Sequence, residues 1–150
     1  MGFSLSKRSL SRLAGVEPEL VEVVKYAITV TKVDFGVTCG VRTVAEQKAL
    51  VASGASTTMN SKHLEGRAVD VVAYVGPNVS WAINLYDDIA DAMKEGAKVV
   101  GVDLLWGAAW HIPDIRFWDG TMEEAMNAYI DLRRSQGKRP FLDGPHFQLN

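Results

Sequence analysis

The apolar positions of this chain switch between two periods, and the switches outline its elements. Leu20, Val23, Val24, Ala27, Ile28 and Val30 recur at near 3.6-residue spacing behind Pro18, which suits a first helical turn. Glu19 and Glu22 sit near the positive end of the predicted helix, which runs from 18 to about 31. The stretch 34–39 is rich in strand formers and stops at Gly40, and Thr43 with Glu46 has the spacing of a capping box opening a helix to about 52. Small polar residues over 53–60 read as a loop. The run 68–75, Ala-Val-Asp-Val-Val-Ala-Tyr-Val, is short, continuous and β-branched, as a buried strand is.

Downstream, Gly76-Pro77-Asn78 breaks the chain and Ser80 has the chemistry to cap a helix from 81 to 99 or 100. That helix would bury Trp81, Leu85, Ile89, Ala92 and Met93 along one face. A strand over 101–106 and a loop over 107–113 follow. Thr121 and Glu124 form a second capping box, opening a helix to about 135 that Gly137 ends; its apolar positions run from Met122 to Leu132. A final short strand holds His146. At the other end, Leu5, Leu10 and Leu13 would dock a short turn or helix over 3–13. The alternation predicts an α+β fold, a small and mainly antiparallel sheet packed with helices, forming one domain over 1–150.

Composition narrows the classes. With 150 residues, 47% hydrophobic and 23% charged, the chain has the make-up of a globular domain. A formal net charge of −2 without a basic run argues against nucleic acid or an anionic membrane as partner. Cys39 is the single cysteine and reads as a small core residue. Residues 1–8 lack an apolar signal core, and no stretch approaches the roughly 20 apolar residues of a membrane span, so the chain is not expected to be exported unaided.

The chemistry gathers around the strand at 68–75, where Asp70 is the only charge. A lone carboxylate there costs several kcal/mol unless a cation, donors or a metal compensates it. His63 precedes Gly66, where the chain can turn back toward the strand. These residues fit two readings: His63 and Asp70 supply a nitrogen and an oxygen to a zinc ion, or Asp70 pairs with Arg42 or Arg67 and His63 is a surface residue. Asp143-Gly144-Pro145-His146 adds a second histidine and carboxylate. Together they match a catalytic zinc, which takes three protein ligands, leaves a position for water and has a carboxylate close by. His111, flanked by Trp110 and Pro113, reads as an exposed or stacking residue rather than a fourth ligand.

The pattern Ser61-x-His63-x-x-Gly66-x-Ala68-x-Asp70, followed by Asp143-Gly144-x-His146, resembles the metallopeptidases typified by D-Ala-D-Ala carboxypeptidases. Within them it is most similar to phage endolysins that are L-alanyl-D-glutamate peptidases, and the likeness extends to 40–45 and 106–110. The resemblance implies Zn2+ held on the sheet by His63, Asp70 and His146, with Asp143 as general base. It places Arg42 on a substrate carboxylate or the scissile carbonyl, and it leaves Ser61 able to donate to the substrate. The implied activity is hydrolysis of the L-Ala/D-Glu bond of the peptidoglycan stem peptide by a monomer. That enzyme would wait in the host cytoplasm until the membrane is permeabilised, then act in the periplasm on the cell wall. Carboxypeptidase relatives usually carry glutamate as the base, so Asp143 favours the endolysin branch over a D-Ala-D-Ala carboxypeptidase or dipeptidase, or a non-catalytic wall-binding module. Ala109 departs from the family, where aspartate is frequent.

Overall fold

The computed structural model describes residues 2–56 and 58–150. Met1 and Thr57, which fall in the segments read as a signal-free terminus and a loop, lie outside them. The elements run α1 (Lys7–Arg12), α2 (Pro18–Val30), β1 (Asp34–Cys39), α3 (Val44–Ala52), β2 (Ala68–Val75), β3 (Asn78–Ser80), α4 (Ile83–Val100), β4 (Leu105–Trp106), α5 (Met122–Ser135) and β5 (His146–Gln148). Both capping boxes form: the Thr43 and Thr121 hydroxyls accept from the backbone of Glu46 and Glu124, whose carboxylates reach back. The fold is α+β with an antiparallel sheet in the order β1-β2-β5-β4.

β2 is the spine of that sheet. One edge pairs along β1, while the other is shared: β5 takes Ala68 to Asp70 and β3 takes Ala73 to Val75. Between them the Val71 N–H donates to the Pro145 carbonyl at 3.0 Å, so the ladder stays satisfied across the gap. Val69, Val71 and Ala73 join a core with Leu20, Val23 and Ala27 of α2, and Ile89 and Met93 of α4. By the two-residue period of a strand, Asp70 faces the other way.

Four expectations change. Ser80 does not cap α4; it ends β3, a strand that answers β2 through a two-residue turn at Gly76-Pro77, with Gly76 at φ 60 in the first central position. α4 therefore starts at Ile83, and Trp81, 66% exposed, lies outside it and stacks on Tyr86. The strand expected over 101–106 shrinks to Leu105–Trp106 because Gly101 still caps α4 and Leu104 bonds to the loop at Asp114 and Ile115 instead of a strand. Leu10 is exposed, so α1 docks through Leu13 and its neighbour Leu5, helped by the Ser9 hydroxyl accepting from Val37. Cys39 is only half-buried and leaves the core. The alternation of Phe35 and Val37 would bury it, but a β-bulge between Val37 and Cys39 shifts the register and sets Cys39 opposite Asp70.

The turn before β2 depends on Gly66. Its φ is 69, and a Cβ there would lie 2.6 Å from the Gly15 carbonyl oxygen. The Gly66 carbonyl meanwhile accepts from Glu17 at 2.8 Å, tying the turn to the start of α2. Gly66→Ala is therefore expected to cost about 2 kcal/mol or more, combining left-handed strain with the collision. Urea denaturation measures this, and a loss below roughly 0.5 kcal/mol would show that the turn relaxes freely.

Candidate metal centre

The bulge and the strand pairings create one row across the sheet. Cys39, Asp70 and His146 are direct neighbours on β1, β2 and β5, and Gly107, just past β4, extends the row by donating to the His146 carbonyl at 2.8 Å. His63 reaches this row from a short 3-10 turn, Lys62–Glu65. The Ser61 hydroxyl caps that turn by accepting from His63 at 3.2 Å, and Gly66 closes it. The Arg42 N–H donates to the His63 carbonyl, which fixes the turn against the end of β1.

Around Asp70 the side chains converge. His63 Nε2 lies 3.3 Å from one carboxylate oxygen, and His146 Nδ1 lies 3.2 Å from the other. Arg42 Nη2 donates to Asp70 at 3.1 Å. Half of the ion-pair reading thus holds: Asp70 pairs with Arg42, whereas Arg67 bonds to the Asn150 carbonyl. His63, 1% exposed, is no surface residue. Two groups of close ligand atoms share Asp70: one atom each from Cys39, His63 and Asp70, and one each from Asp70, Asp143 and His146, lie within 4.8 Å of one another.

The outer hydrogen bonds fix the orientation and tautomer of both imidazoles. His63 Nδ1 stands 2.8 Å from the Gly40 carbonyl, and His146 Nε2 stands 2.8 Å from Gln148 Oε1. Both partners are acceptors, so each of those ring nitrogens carries a proton. In the neutral tautomers His63 Nε2 and His146 Nδ1 are then bare lone pairs, both aimed at a carboxylate. His63 Nε2 is buried with no hydrogen-bond donor among the described residues. Each bare nitrogen repels the carboxylate oxygen it faces unless a proton or a metal cation lies between them, and a backbone carbonyl or amide behind each imidazole is how metal-binding histidines are commonly oriented. The donor set, two imidazoles and a carboxylate, suits zinc.

The same logic sets the acidities. Burial opposes a charge on His63, yet its contacts with Asp70 and Cys39 outweigh that and push its pKa up to about 9. Burial pushes the Asp70 carboxyl up, but the two histidines prevail and hold it well below the usual range. Asp143 goes the other way: burial, then the charge of Asp70, raise its pKa. A carboxylate made more basic beside the cluster is fitted to take a proton.

Asp143 is positioned by backbone. Its N–H donates to the Gly107 carbonyl at 2.8 Å and its own carbonyl accepts from His146 at 3.0 Å. A Cβ at Gly107 would collide with that Asp143 carbonyl, so only glycine lets the two segments approach. The cluster opens into a cavity of about 580 Å³ whose walls include Arg42, Ser61, Lys62, Trp110 and Phe141.

Every residue expected at the site, Arg42, Ser61, His63, Asp70, Asp143 and His146, lines this one cavity. His111 does not; it stacks on Tyr129, with ring centroids 5.6 Å apart, and burial lowers its pKa. Five neighbours were not foreseen. Cys39 sits 3.8 Å from His63 Nδ1, Gln47 receives Arg42 Nη1 at 3.2 Å, Gln148 orients His146, and Trp110 stacks between His146 and Phe141. Gln148 had a signal, since it lies two residues beyond His146 in a strand and so on the same face.

The chain's likenesses agree with this geometry. A family model described as phage L-alanyl-D-glutamate peptidase matches residues 1–150. The L-alanyl-D-glutamate peptidase of Escherichia phage T5 is 32% identical over 115 residues, covering 74% of this chain and 84% of that protein. The peptidase of the same name from Listeria phage A118 is 40% identical over 70 residues, which is 47% of this chain but only 24% of that protein. The crystal structure of the Serratia marcescens L-Ala D-Glu endopeptidase ChiX superposes with a TM-score of 0.73 at 34% identity, covering 100% of this chain and 90% of that one. With its whole length matched by the family model, the chain belongs to the phage L-alanyl-D-glutamate peptidase family.

Proposed function

We propose that this chain is a zinc-dependent endopeptidase that hydrolyses the L-Ala/D-Glu bond of the peptidoglycan stem peptide. The observation that carries the reading is the acceptor cluster of His63 Nε2, Asp70 and His146 Nδ1, with Asp143 beside it at the floor of an open cavity. Residues 1–150 act as one catalytic domain. The enzyme works as a monomer on the wall side of the host membrane, reaching its substrate from the cytoplasm once that membrane is permeabilised.

His63, Asp70 and His146 would hold the metal. A zinc ion so held supplies Lewis acidity, activating water near neutral pH and polarising a carbonyl. Asp143, its basicity raised by burial and by Asp70, accepts the proton of the attacking water and returns it to the leaving amine of D-Glu. Arg42 is held by Asp70 and Gln47 with its guanidinium on the cavity wall, where it faces the negative charge of the substrate or of the tetrahedral intermediate. In other enzymes one such group is worth about 3 kcal/mol. The Ser61 hydroxyl accepts from His63 and keeps its own O–H for the substrate.

Three outcomes are expected. The protein binds one zinc per chain. His63→Ala, Asp70→Ala and His146→Ala each weaken it by more than the roughly 10- to 100-fold that Gln148→Leu should cost as an outer partner. Binding must expel the proton that the metal-free His63 holds up to about pH 9. Affinity therefore rises with pH between about 6.5 and 9 and is weakest in acid. Chelator competition across that range reads both effects; unchanged affinity in the three alanine variants would refute the ligand set.

Asp143→Asn should keep zinc and fold yet lose about 100- to 10,000-fold in turnover, because an amide does not accept the water's proton. Near wild-type rates in a zinc-replete sample would exclude Asp143 as base. For the bond itself, mass spectrometry of digested Gram-negative peptidoglycan should find peptides beginning with D-Glu and glycan still bearing L-Ala. Free D-Ala as the sole product would make the chain a carboxypeptidase.

A further inference from the structure

The cavity has two unlike walls, and the sheet order puts them on opposite sides of the acceptor cluster. β1 and β4 are the outer strands of the path β1-β2-β5-β4, and the row Cys39, Asp70, His146, Gly107 crosses it. Three residues past Cys39 comes Arg42, next to the turn that carries Lys62; three residues past Gly107 comes Trp110. One side of the cluster is therefore cationic and the other aromatic.

The aromatic side is a ladder. Trp110 stacks on His146 with centroids 5.6 Å apart and planes at 25°, and on Phe141 at 5.9 Å and 18°. Its indole N–H donates to the Phe141 carbonyl at 3.1 Å, locking the two segments together. The outermost rung, Phe141, is 61% exposed, although a phenyl ring gains by burial. Nothing in the mechanism above uses it.

Resting on the peptidase reading, we infer that Trp110 and Phe141 form a subsite for the amino-sugar ring to which the stem peptide is attached. The chemistry of the substrate sets the direction. Its D-Glu half carries a free carboxylate and belongs on the side of Arg42 and Lys62. Its L-Ala half is joined, one residue from the cut bond, to the lactyl ether of a pyranose. A chain lying across the cluster with its anionic half on the cationic wall delivers that sugar to the aromatic wall. The negative face of an aromatic ring attracts the C–H bonds of a sugar face, and burying both removes apolar surface from water. Specificity for wall-attached peptide over free peptide then lies in this ladder.

The test compares kcat/KM of the zinc-loaded enzyme on two substrates: a muramoyl peptide, and the same peptide with its L-Ala N-acetylated and no sugar. The wild type should prefer the sugar-bearing substrate by about five- to tenfold, in line with one aromatic stacking contact. In Phe141→Ala and Phe141→Leu the preference should collapse toward one, since neither has a ring. Because Phe141 is exposed, neither truncation opens the core. A preference that survives in both variants, or is absent from the wild type, overturns the subsite, as does a fall in both substrates together, which would mean that the ladder packs on the peptide. If the wild type cuts neither substrate between L-Ala and D-Glu, the peptidase reading itself fails.

Discussion

Asp70 presents the chain with a physical problem that much of the local structure answers. Its strand is otherwise apolar or aromatic and its side chain is only 19% exposed, so its carboxylate has little water to turn to. It is met instead by Arg42 and by two imidazoles, each held in place by a further acceptor. Those three partners come from the end of β1, the turn before β2 and the last strand. The compensation of one charge thus ties together segments from distant parts of the sequence. It also turns a bare nitrogen of each imidazole toward the carboxylate, an arrangement that a proton or a metal cation has to bridge.

The β-bulge between Val37 and Cys39 is the smaller device that makes the arrangement possible. Without it the alternation of β1 would continue, Cys39 would enter the core, and the chain would leave the strand one residue out of step. With it, Gly40 presents its carbonyl to His63 and Arg42 arrives beside Asp70. Irregular pairing next to a reactive centre re-aims side chains at a cost of only one ladder position.

What could be read from the sequence was what local chemistry determines. The capping boxes at Thr43 and Thr121, the limits of β2, and the helix over 18–30 follow from side chains within a few residues of one another. That His63, Asp70, Asp143 and His146 would line one cavity was legible through the family resemblance of their two motifs, because the spacing of His63 and Asp70 alone fits an ion pair as well. What escaped depends on partners far along the chain. The bulge exists only against β2, the short strand at Asn78–Ser80 only as its hairpin mate, and the shortening of β4 only because Leu104 bonds to the loop at 114–115. Trp110 gave no sign that it would lie against His146, since that contact needs β4 and β5 to pair first.

Gln47 links the strand-borne and the loop-borne parts of the site. It is fully buried in α3, receives Arg42 on its carbonyl, and donates its amide to the Ser56 hydroxyl and the Thr58 carbonyl at 3.0 and 2.7 Å. One wall of the cavity is thus tied to α3 by this side chain and by the Ser56 N–H, which donates to the Leu50 carbonyl at 3.1 Å, while Asp70 and His146 rest on the sheet. Gly54, Ala55 and Asn60 line the cavity without bonding to Gln47, so a change in their size or polarity alters what the groove admits with no demand on the strands that hold Asp70 and His146.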